Sequence, residues 1–368
     1  MSKPILLLDY TREQLQDLMT SWGQPAYRGK QIYEWLHKNL VTDPQQMTNL
    51  PKTLRERLAA ETLINPLELI LQVDDARGET RKALFRLPDG ATIEVVLMLY
   101  NKRRTVCIST QVGCGIGCPF CATGQGGLTR NLSPGEIIAQ VHWFEHWLRE
   151  ANSDSEGLVV ERPTRVTNIV VMGMGEPLAN YETTMQALRA IADPKTFALS
   201  ARNITLSTVG LIPKIEQLAE EDLPVRLAVS LHAPTDRLRN KLVPINKRYH
   251  LPKLIDALVR YQQKTNRRVT FEYAMMRGIN DSVEQAELLA DLLAPIRKAH
   301  VNLIPLNPTP GSPYQPSSEE AVRRFQAILE KAGITTTVRL RRGVEISAGC
   351  GQLRQAVQQP EVLKFIRE

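Results

Sequence analysis

The sequence reads as an α/β chain organised around a parallel sheet, and three observations predict this. From residue 105 onward, strand-like and helix-like segments alternate six times. Residues 1–65 instead carry helical spacing, and residues 66–104 change to a period of two. Composition agrees: of 368 residues, 43% are apolar and 23% charged, which suits a globular chain and argues against disorder, collagen-like repeats and coiled coil. At about 150 residues per domain, the length allows two domains or one large barrel.

The elements follow in order. Thr11-Arg-Glu-Gln14 has the pattern of a capping box. Ile32, Trp35, Leu36 and Leu40 recur at helical spacing after Arg28-Gly29-Lys30. Pro51 is placed to be the first residue of a helix that buries Leu54 and Leu58. Lys82–Leu87 and Thr92–Met98 flank Pro88-Asp89-Gly90 and read as a hairpin, with a further turn at Arg77-Gly78-Glu79. The strands expected next are Val106–Ser109, Ile169–Met172, Ile204–Thr208, Leu227–Leu231, Val269–Met275 and Val301–Leu306. The helices expected are Pro134–Leu148, Tyr181–Ile191, Pro213–Ala219, Pro252–Gln263, Val283–Leu293 and Ser318–Lys331. Thr335–Arg341 reads as one further strand, and residues 152–162 as an exposed loop. Six βα units suit an open doubly wound sheet or a full or partial barrel; a complete barrel would need eight.

No run of 18 apolar residues exists, so no membrane span is expected. The apolar run Ile5–Leu8 is too short for a secretory signal, and a cytoplasmic location is the expectation. The net charge is +7 and the pI about 9.2, compatible with a polyanionic partner such as RNA. Five cysteines, four of them clustered within fifteen residues, do not resemble a disulfide framework.

Those cysteines carry the chemistry. Cys114-Gly-Ile-Gly-Cys118-Pro-Phe-Cys121 is a C-x3-C-x2-C string directly after the first expected strand, where barrel enzymes place their active-site loops. Three thiolates this close can hold one metal centre. Glycines at 113, 115 and 117 let the backbone wrap a bulky group. A three-cysteine zinc site or three buried small residues are the plainer readings. A 4Fe–4S cluster held by three cysteines leaves one iron open to a ligand.

The string, with Phe120 before its last cysteine, resembles the signature of the radical S-adenosylmethionine (SAM) enzymes. That resemblance implies a partial (β/α)6 barrel and a 4Fe–4S cluster on Cys114, Cys118 and Cys121. It also implies SAM chelated to the open iron and cleaved to a 5′-deoxyadenosyl radical. Gly173-Met-Gly175-Glu176-Pro177 follows the second strand and is similar to the family's SAM-ammonium motif. Ser207, Ser230-Leu231-His232 and Asn307 stand at later strand ends and match the family's other SAM contacts. Taken singly, each has the look of an ordinary cap or turn residue.

Further segments narrow the resemblance to the RlmN-type RNA methyltransferases, along essentially the whole chain. They are Tyr27-Arg-Gly-Lys-Gln-Ile-Tyr33, Cys107, Gln111–Cys121, Ser230-Leu-His-Ala-Pro234 and Gly349-Cys350-Gly351. The resemblance implies formation of 2-methyladenosine in 23S rRNA and in tRNA, with two SAM consumed per turnover. It assigns Cys350 as a thiolate that accepts a methyl group from the first SAM. A methylene radical made from that group adds to adenine C2. Cys107 then assists loss of the C2 proton and resolves the protein–RNA link, leaving a Cys107–Cys350 disulfide. Glu94 falls where the family has a general base or an adenine-contacting carboxylate, and is expected to accept a proton; from alternation alone it would lie on a solvated strand face. Cys107 read alone is a core residue, whereas Cys350 sits on a glycine-flanked loop that favours reactivity.

On this reading the chain divides into a helical N-terminal accessory domain (1–65), a β-hairpin linker (66–104), the radical SAM partial barrel (105–345) and a C-terminal segment (346–368) carrying Cys350. An electron-donating reductase system is an expected partner, and nothing in the sequence demands more than a monomer. Lys102, Arg103, Arg104 and Arg130 form one basic stretch. Residues 236–268 hold ten Lys or Arg against two Asp, with Arg237, Arg239, Lys241, Lys247 and Arg248 nearest the expected site rim. Arg339, Arg341 and Arg342 make a third cluster. All are candidates for phosphate contacts around an extruded adenosine. Two other readings stay open: methylation at adenine C8, as in Cfr-type enzymes, and a zinc-stabilised RNA-binding protein without catalysis.

Overall fold

The computed structural model describes residues 4–150, 164–309, 312–339, 343, 346–349 and 351–352. The loop expected at 152–162, Arg341, Arg342 and Cys350 lie outside the described residues.

The chain opens with β1 (Ile5–Leu6), α1 (Arg12–Ser21), α2 (Tyr27–His37), α3 (Lys52–Glu61) and β2 (Thr62–Leu63), with β1 and β2 paired in parallel. The capping box forms: the Thr11 hydroxyl accepts from the Gln14 amide, and the Gln14 side chain accepts from Thr11 N at 2.8 Å. Leu40, expected to continue the α2 spacing, lies beyond that helix in a left-handed turn with φ +56. Pro51, expected as a first helical residue, is instead the N-cap of α3, because its ψ of 144° is extended. Helices α1 and α2 cross so closely that a Cβ on Gly29 would strike the backbone of Leu15 and Gln16.

Four strands follow: β3 (Glu68–Asp74), β4 (Thr80–Arg86), β5 (Thr92–Tyr100) and β6 (Arg103–Cys107). They are antiparallel neighbours, with β4 and β5 joined at the expected Asp89-Gly90 turn. This unit does not stand apart from the parallel sheet. Strand β6 pairs with β5 on one side, Val96 opposite Cys107, and with the next parallel strand on the other, Cys107 opposite Val170.

The parallel part then alternates as expected. A short ribbon, β7 (Gln111–Gly113) and β8 (Leu128–Asn131), frames α4 (Ala122–Gln125) and leads into α5 (Pro134–Glu150). Next come β9 (Asn168–Val171), α6 (Tyr181–Ala192), β10 (Ile204–Thr208), α7 (Ile212–Ala219), β11 (Arg226–Ser230), α8 (Asp236–Leu242), α9 (Leu251–Thr265), β12 (Val269–Met275), α10 (Val283–Leu293), β13 (Ala299–Pro305), α11 (Glu319–Lys331) and β14 (Thr335–Val338). Side-chain caps fix where helices start: Thr235, Ser282 and Ser318 each accept from a first-turn amide of α8, α10 and α11. Strand order is β14-β13-β12-β11-β10-β9-β6-β5-β4-β3. Six parallel strands from β6 to β13 form the partial barrel, with β14 added in parallel at one edge and the antiparallel strands at the other. No helix among the described residues is long and apolar enough to cross a membrane.

Two buried features weld these parts together. The first is a junction at Ser109, just past β6. Its hydroxyl donates to the Glu94 carbonyl at 2.8 Å and accepts from Met174 N at 2.9 Å. Its own amide and carbonyl are both taken by the Gln140 side chain of α5. The second joins the N-terminal helices to the barrel. Asp9 accepts from Gly135 N at 2.8 Å, and Gln186 donates to the Asp9 carbonyl. Alongside, the His37 ring meets His142 of α5 edge-on at 5.5 Å and contacts Phe197.

His37 is fully buried, and neither ring nitrogen has a hydrogen-bond partner. Burial pushes its pKa down to about 3. A value depressed below the unfolded 6.5 means its contribution is intact above pH 6.5 and is lost as pH falls toward 3. His37→Phe is therefore expected to recover about 2 kcal/mol of the stability that the parent loses between pH 8 and pH 5, read from urea midpoints at both pH values. Ser109→Ala removes a buried hydroxyl's bonds to the Met174 amide and the Glu94 carbonyl; the expected cost is about 2–4 kcal/mol, measured by denaturant unfolding before iron loading.

Candidate active site

A cavity opens at the C-terminal ends of the parallel strands, and each wall comes from a strand-to-helix connection. The β7–β8 ribbon projects the first. Cys114 N donates to the Gly127 carbonyl at 2.8 Å across its neck. Cys121 N donates to the Cys118 carbonyl, so the last two cysteines share a turn. Cys114, Cys118 and Cys121 all line the cavity. Burial raises the Cys114 thiol to about 11, and it pushes Cys118 well above the ordinary thiol value. Such thiols stay protonated on their own and release their protons when a bound cation displaces them.

The second wall is the Gly173–Glu176 connection after β9. It presses onto the end of β6 and the ribbon: a Cβ on Gly173 would sit 2.7 Å from the Ile108 carbonyl oxygen. One on Gly175, at φ +106, would sit 2.6 Å from Gln111 Cβ. Only glycine allows both approaches. Glu176 is buried in the cavity wall. Its carboxylate accepts from Leu178 N at 3.0 Å and Val209 N at 2.9 Å, and its amide donates to Gln111 Oε1. Burial outweighs these bonds and raises its pKa to about 7, so a cation in the cavity would favour the ionised form.

The remaining walls come from β10 to β13. Ser207 and Ser230 face each other across neighbouring strands, 3.3 Å between hydroxyl oxygens. His232 follows at φ +60, its Nδ1 accepting from Ala274 N at 3.0 Å. Burial lowers its pKa to about 3, so the ring is neutral with the proton on Nε2. Its ring packs edge-on against Phe120 at 5.0 Å, bracing the cysteine turn. Asn307, just past β13, also lines the cavity. Leu231 does not line it; its side chain is fully buried in the core.

Cys107 and Glu94 are not on this wall. They lie beside it on β6 and β5, both buried, with Glu94 paired to Lys82 Nζ at 3.3 Å. The sheet is covered on both faces here, so Glu94 is not on a solvated face. Cys350 lies outside the described residues. Its neighbour Gly349 abuts the Asn307 side chain, and the Gly351 carbonyl accepts from Ala122 N at 2.7 Å.

The basic stretches need correction. Arg239 is fully buried and donates to the carbonyls of Leu231, Val209 and Ser230 and to Asn246 Oδ1. It braces the loops around the cavity and has no access to phosphate. Arg104 is buried, donating to the Tyr100 carbonyl. Arg130 is held by Asp89 at 2.6 Å and Glu136 at 2.7 Å. Lys102, Arg103, Arg237, Lys241, Lys247 and Arg248 are exposed, and Arg339 faces the cavity. Helical spacing held the clue: on α8, positions 237 and 241 share a face, whereas 239 points the other way. Sequence reasoning also missed Glu272, a buried cavity residue held by Asn302 at 2.8 Å. Its signal was a carboxylate inside the apolar strand Val269–Met275.

The donor set suits the implied groups. Among the described residues no three His, Cys, Asp or Glu converge as a single metal ion requires. A cubane instead takes one thiolate per iron, from sulfurs spread round a cavity. Soft thiolate donors suit an iron–sulfur cluster, and the Glu176 carboxylate suits an ammonium group.

Comparison with known proteins agrees with this geometry. Residues 5–64 match the family described as "Ribosomal RNA large subunit methyltransferase N-terminal domain", and residues 108–291 match "Radical SAM superfamily". A probable dual-specificity RNA methyltransferase RlmN from Chloroflexus aurantiacus is 52% identical over 94% of this chain and 92% of its own. One from Roseiflexus sp. is 47% identical over 95% and 96%. The crystal structure of a radical SAM methyltransferase from Sphaerobacter thermophilus superposes with a TM-score of 0.90, at 50% identity, over 95% of this chain and 99% of that one. With relatives this similar over nearly the whole chain, and a cysteine loop, a Gly-x-Gly-Glu wall and a six-stranded partial barrel to match, the chain belongs to the RlmN family of radical SAM RNA methyltransferases.

Proposed function

We propose that this enzyme methylates carbon 2 of adenine in 23S rRNA and in tRNA, using Cys350 as a methyl carrier. The observation that carries the reading is the bond from Ala122 N to the Gly351 carbonyl, 2.7 Å long. It ties a residue adjoining Cys350 to the residue following Cys121, two points far apart in sequence. The relatives' description as dual-specificity RNA methyltransferases supports the two substrates. Work on such RNAs suits a cytoplasmic enzyme, acting as a monomer supplied with electrons by a reductase.

Cys114, Cys118 and Cys121 would hold the 4Fe–4S cluster, leaving one iron for SAM. Gly175, Glu176, Ser207, Ser230, His232 and Asn307 would hold SAM from the cavity wall, with Leu231 only placing its neighbours, since its amide and carbonyl are taken by the Glu272 carbonyl and Arg239. Bound there, this pair supplies a carbon-centred radical able to take a hydrogen atom from a methyl group. The Cys350 thiolate takes its methyl from one SAM and presents it for that hydrogen loss, so each turnover uses two SAM. Glu94 accepts the proton lost from adenine C2. The methylene radical so formed adds to C2, and loss of one electron to the redox partner with that proton leaves a closed-shell link. The Cys107 thiolate then attacks the Cys350 sulfur and breaks its bond to the methylene carbon, which takes a proton to become the methyl group, leaving a disulfide for the reductase to open. In domain terms, residues 1–65 and the exposed cations after β11 would grip RNA, the strands of 66–104 would carry Glu94, residues 105–345 would hold cluster and SAM, and residues 346–368 would carry the methyl-bearing cysteine.

The test is nucleoside mass spectrometry after incubating the iron- and sulfide-loaded enzyme with RNA, a reductant and SAM carrying a deuterated methyl. Label in 2-methyladenosine is expected. Label in 8-methyladenosine would overturn the regiochemistry, and SAM cleavage without labelled adenosine would overturn the substrate. Cys350→Ala is expected to lose more than about 100-fold of product; normal product from it rejects the methyl-carrier role. Reversing Arg237, Lys241, Lys247 and Arg248 together is expected to weaken RNA binding. The log–log salt slope should become shallower by about 3, while SAM cleavage without RNA is unchanged.

A further inference from the structure

The strands beside the cavity contain a lysine that the mechanism above does not use. Lys82 lies on β4 with its side chain only 5% exposed, and its ammonium is 3.3 Å from Glu94 Oε1. The same Nζ donates to the carbonyl of Ser347 at 3.4 Å. Ser347 is three residues ahead of Cys350 and sits at φ +53. One step along the same face of β4, Thr80 meets the other end of that turn, since a Cβ on Gly343 would sit 2.9 Å from Thr80 Cγ2. Ala348 N closes the turn onto the Gly343 carbonyl at 2.8 Å. The turn therefore lies across β4 at two successive inward positions.

Strand register carries this face to Cys107. Lys82 stands opposite Val96, and Val96 opposite Cys107. At the usual spacing between strands, the Lys82 and Cys107 backbones are roughly 10 Å apart. Glu94 is two residues from Val96 and shares the face. One ammonium thus touches the carboxylate of β5 and the turn leading to Cys350, in line with Cys107. A buried lysine is costly unless its protons are used, and a flexible ammonium can donate in two directions at once.

We propose that Lys82 is a positioning residue for methyl transfer: it orients the Glu94 carboxylate and fastens the turn that precedes Cys350, aligning both with Cys107. This rests on the reading of Glu94 as proton acceptor and Cys350 as methyl carrier.

The experiment compares the cluster-loaded parent with Lys82→Met and Lys82→Arg. Three readouts are taken: 5′-deoxyadenosine released from SAM, S-methylation of Cys350 by intact mass, and methylated adenosine in RNA. In Lys82→Met, methylated adenosine per 5′-deoxyadenosine is expected to fall about tenfold or more, with less S-methylated Cys350, at unchanged iron content. Lys82→Arg, which restores the charge and both donors, is expected to stay within about threefold of the parent. In the Glu94→Gln background, Lys82→Met is expected to cost less of the adenosine yield than in the parent, because part of its effect passes through Glu94, while the fall in S-methylated Cys350 is expected to persist. An unchanged ratio in Lys82→Met overturns the proposal. So does a proportional fall of iron, cleavage and transfer together with no rescue by arginine, and so do losses that multiply in the double variant. A parent enzyme that methylates no adenosine instead sinks the functional reading, and the S-methylation readout still decides whether Lys82 fastens the turn.

Discussion

The structure depends on a buried hydroxyl. Ser109 stands where the first barrel strand ends, and four chain segments meet on it: β5 through the Glu94 carbonyl, the glycine-rich connection through Met174 N, α5 through Gln140, and the strand itself. Each bond lies in a dry interior where an unmade partner is costly. The cysteine ribbon begins two residues later, at Gln111. Its Gln111 side chain in turn accepts from Glu176 N. The cysteine loop, the carboxylate expected to meet SAM and the strand carrying Glu94 are thus placed relative to one another by one residue and its neighbours.

A second constraint is the polarity of the cavity wall. Cys114, Cys118, Glu176 and Glu272 are all pushed by burial toward their uncharged forms. A wall of this kind rewards a cation that arrives with its own ligands and displaces protons as it binds. Arg239 supports the wall differently, by occupying carbonyls that the turns after β10 and β11 leave unpaired. A fixed charge spent on backbone geometry keeps Ser230 and His232 in place.

Much of this was legible in the sequence, for identifiable reasons. The βα rhythm was clear because buried parallel strands are apolar runs and their helices amphipathic. The strand Ile204–Thr208 and the helix Val283–Leu293 match at both ends. The cysteine string was clear because its spacing is set by the centre that it would grip. What remained hidden depended on coverage. Alternation assigned Glu94 a face, but the turn from Gly343 to Ala348 that lies over that face arrives some 250 residues later. The same absence of long-range information made Arg239 and Arg104 look like surface cations. Membership of residues 66–104 in the main sheet was likewise invisible, since a hairpin signal says nothing of what its outer strand pairs with next.

Among the described residues the sheet does not close on itself: β14 and β3 stand at its two edges. A complete eight-stranded barrel has an interior just large enough for its own side chains, and its mouth admits molecules end-on. An arc of six strands leaves a wider mouth at its C-terminal strand ends, where the cavity opens. A nucleotide in the middle of a long folded RNA has no nearby end to thread, so a wide mouth suits it. Release then requires only that the strand lift away, so an internal base is no harder to serve than one near an end.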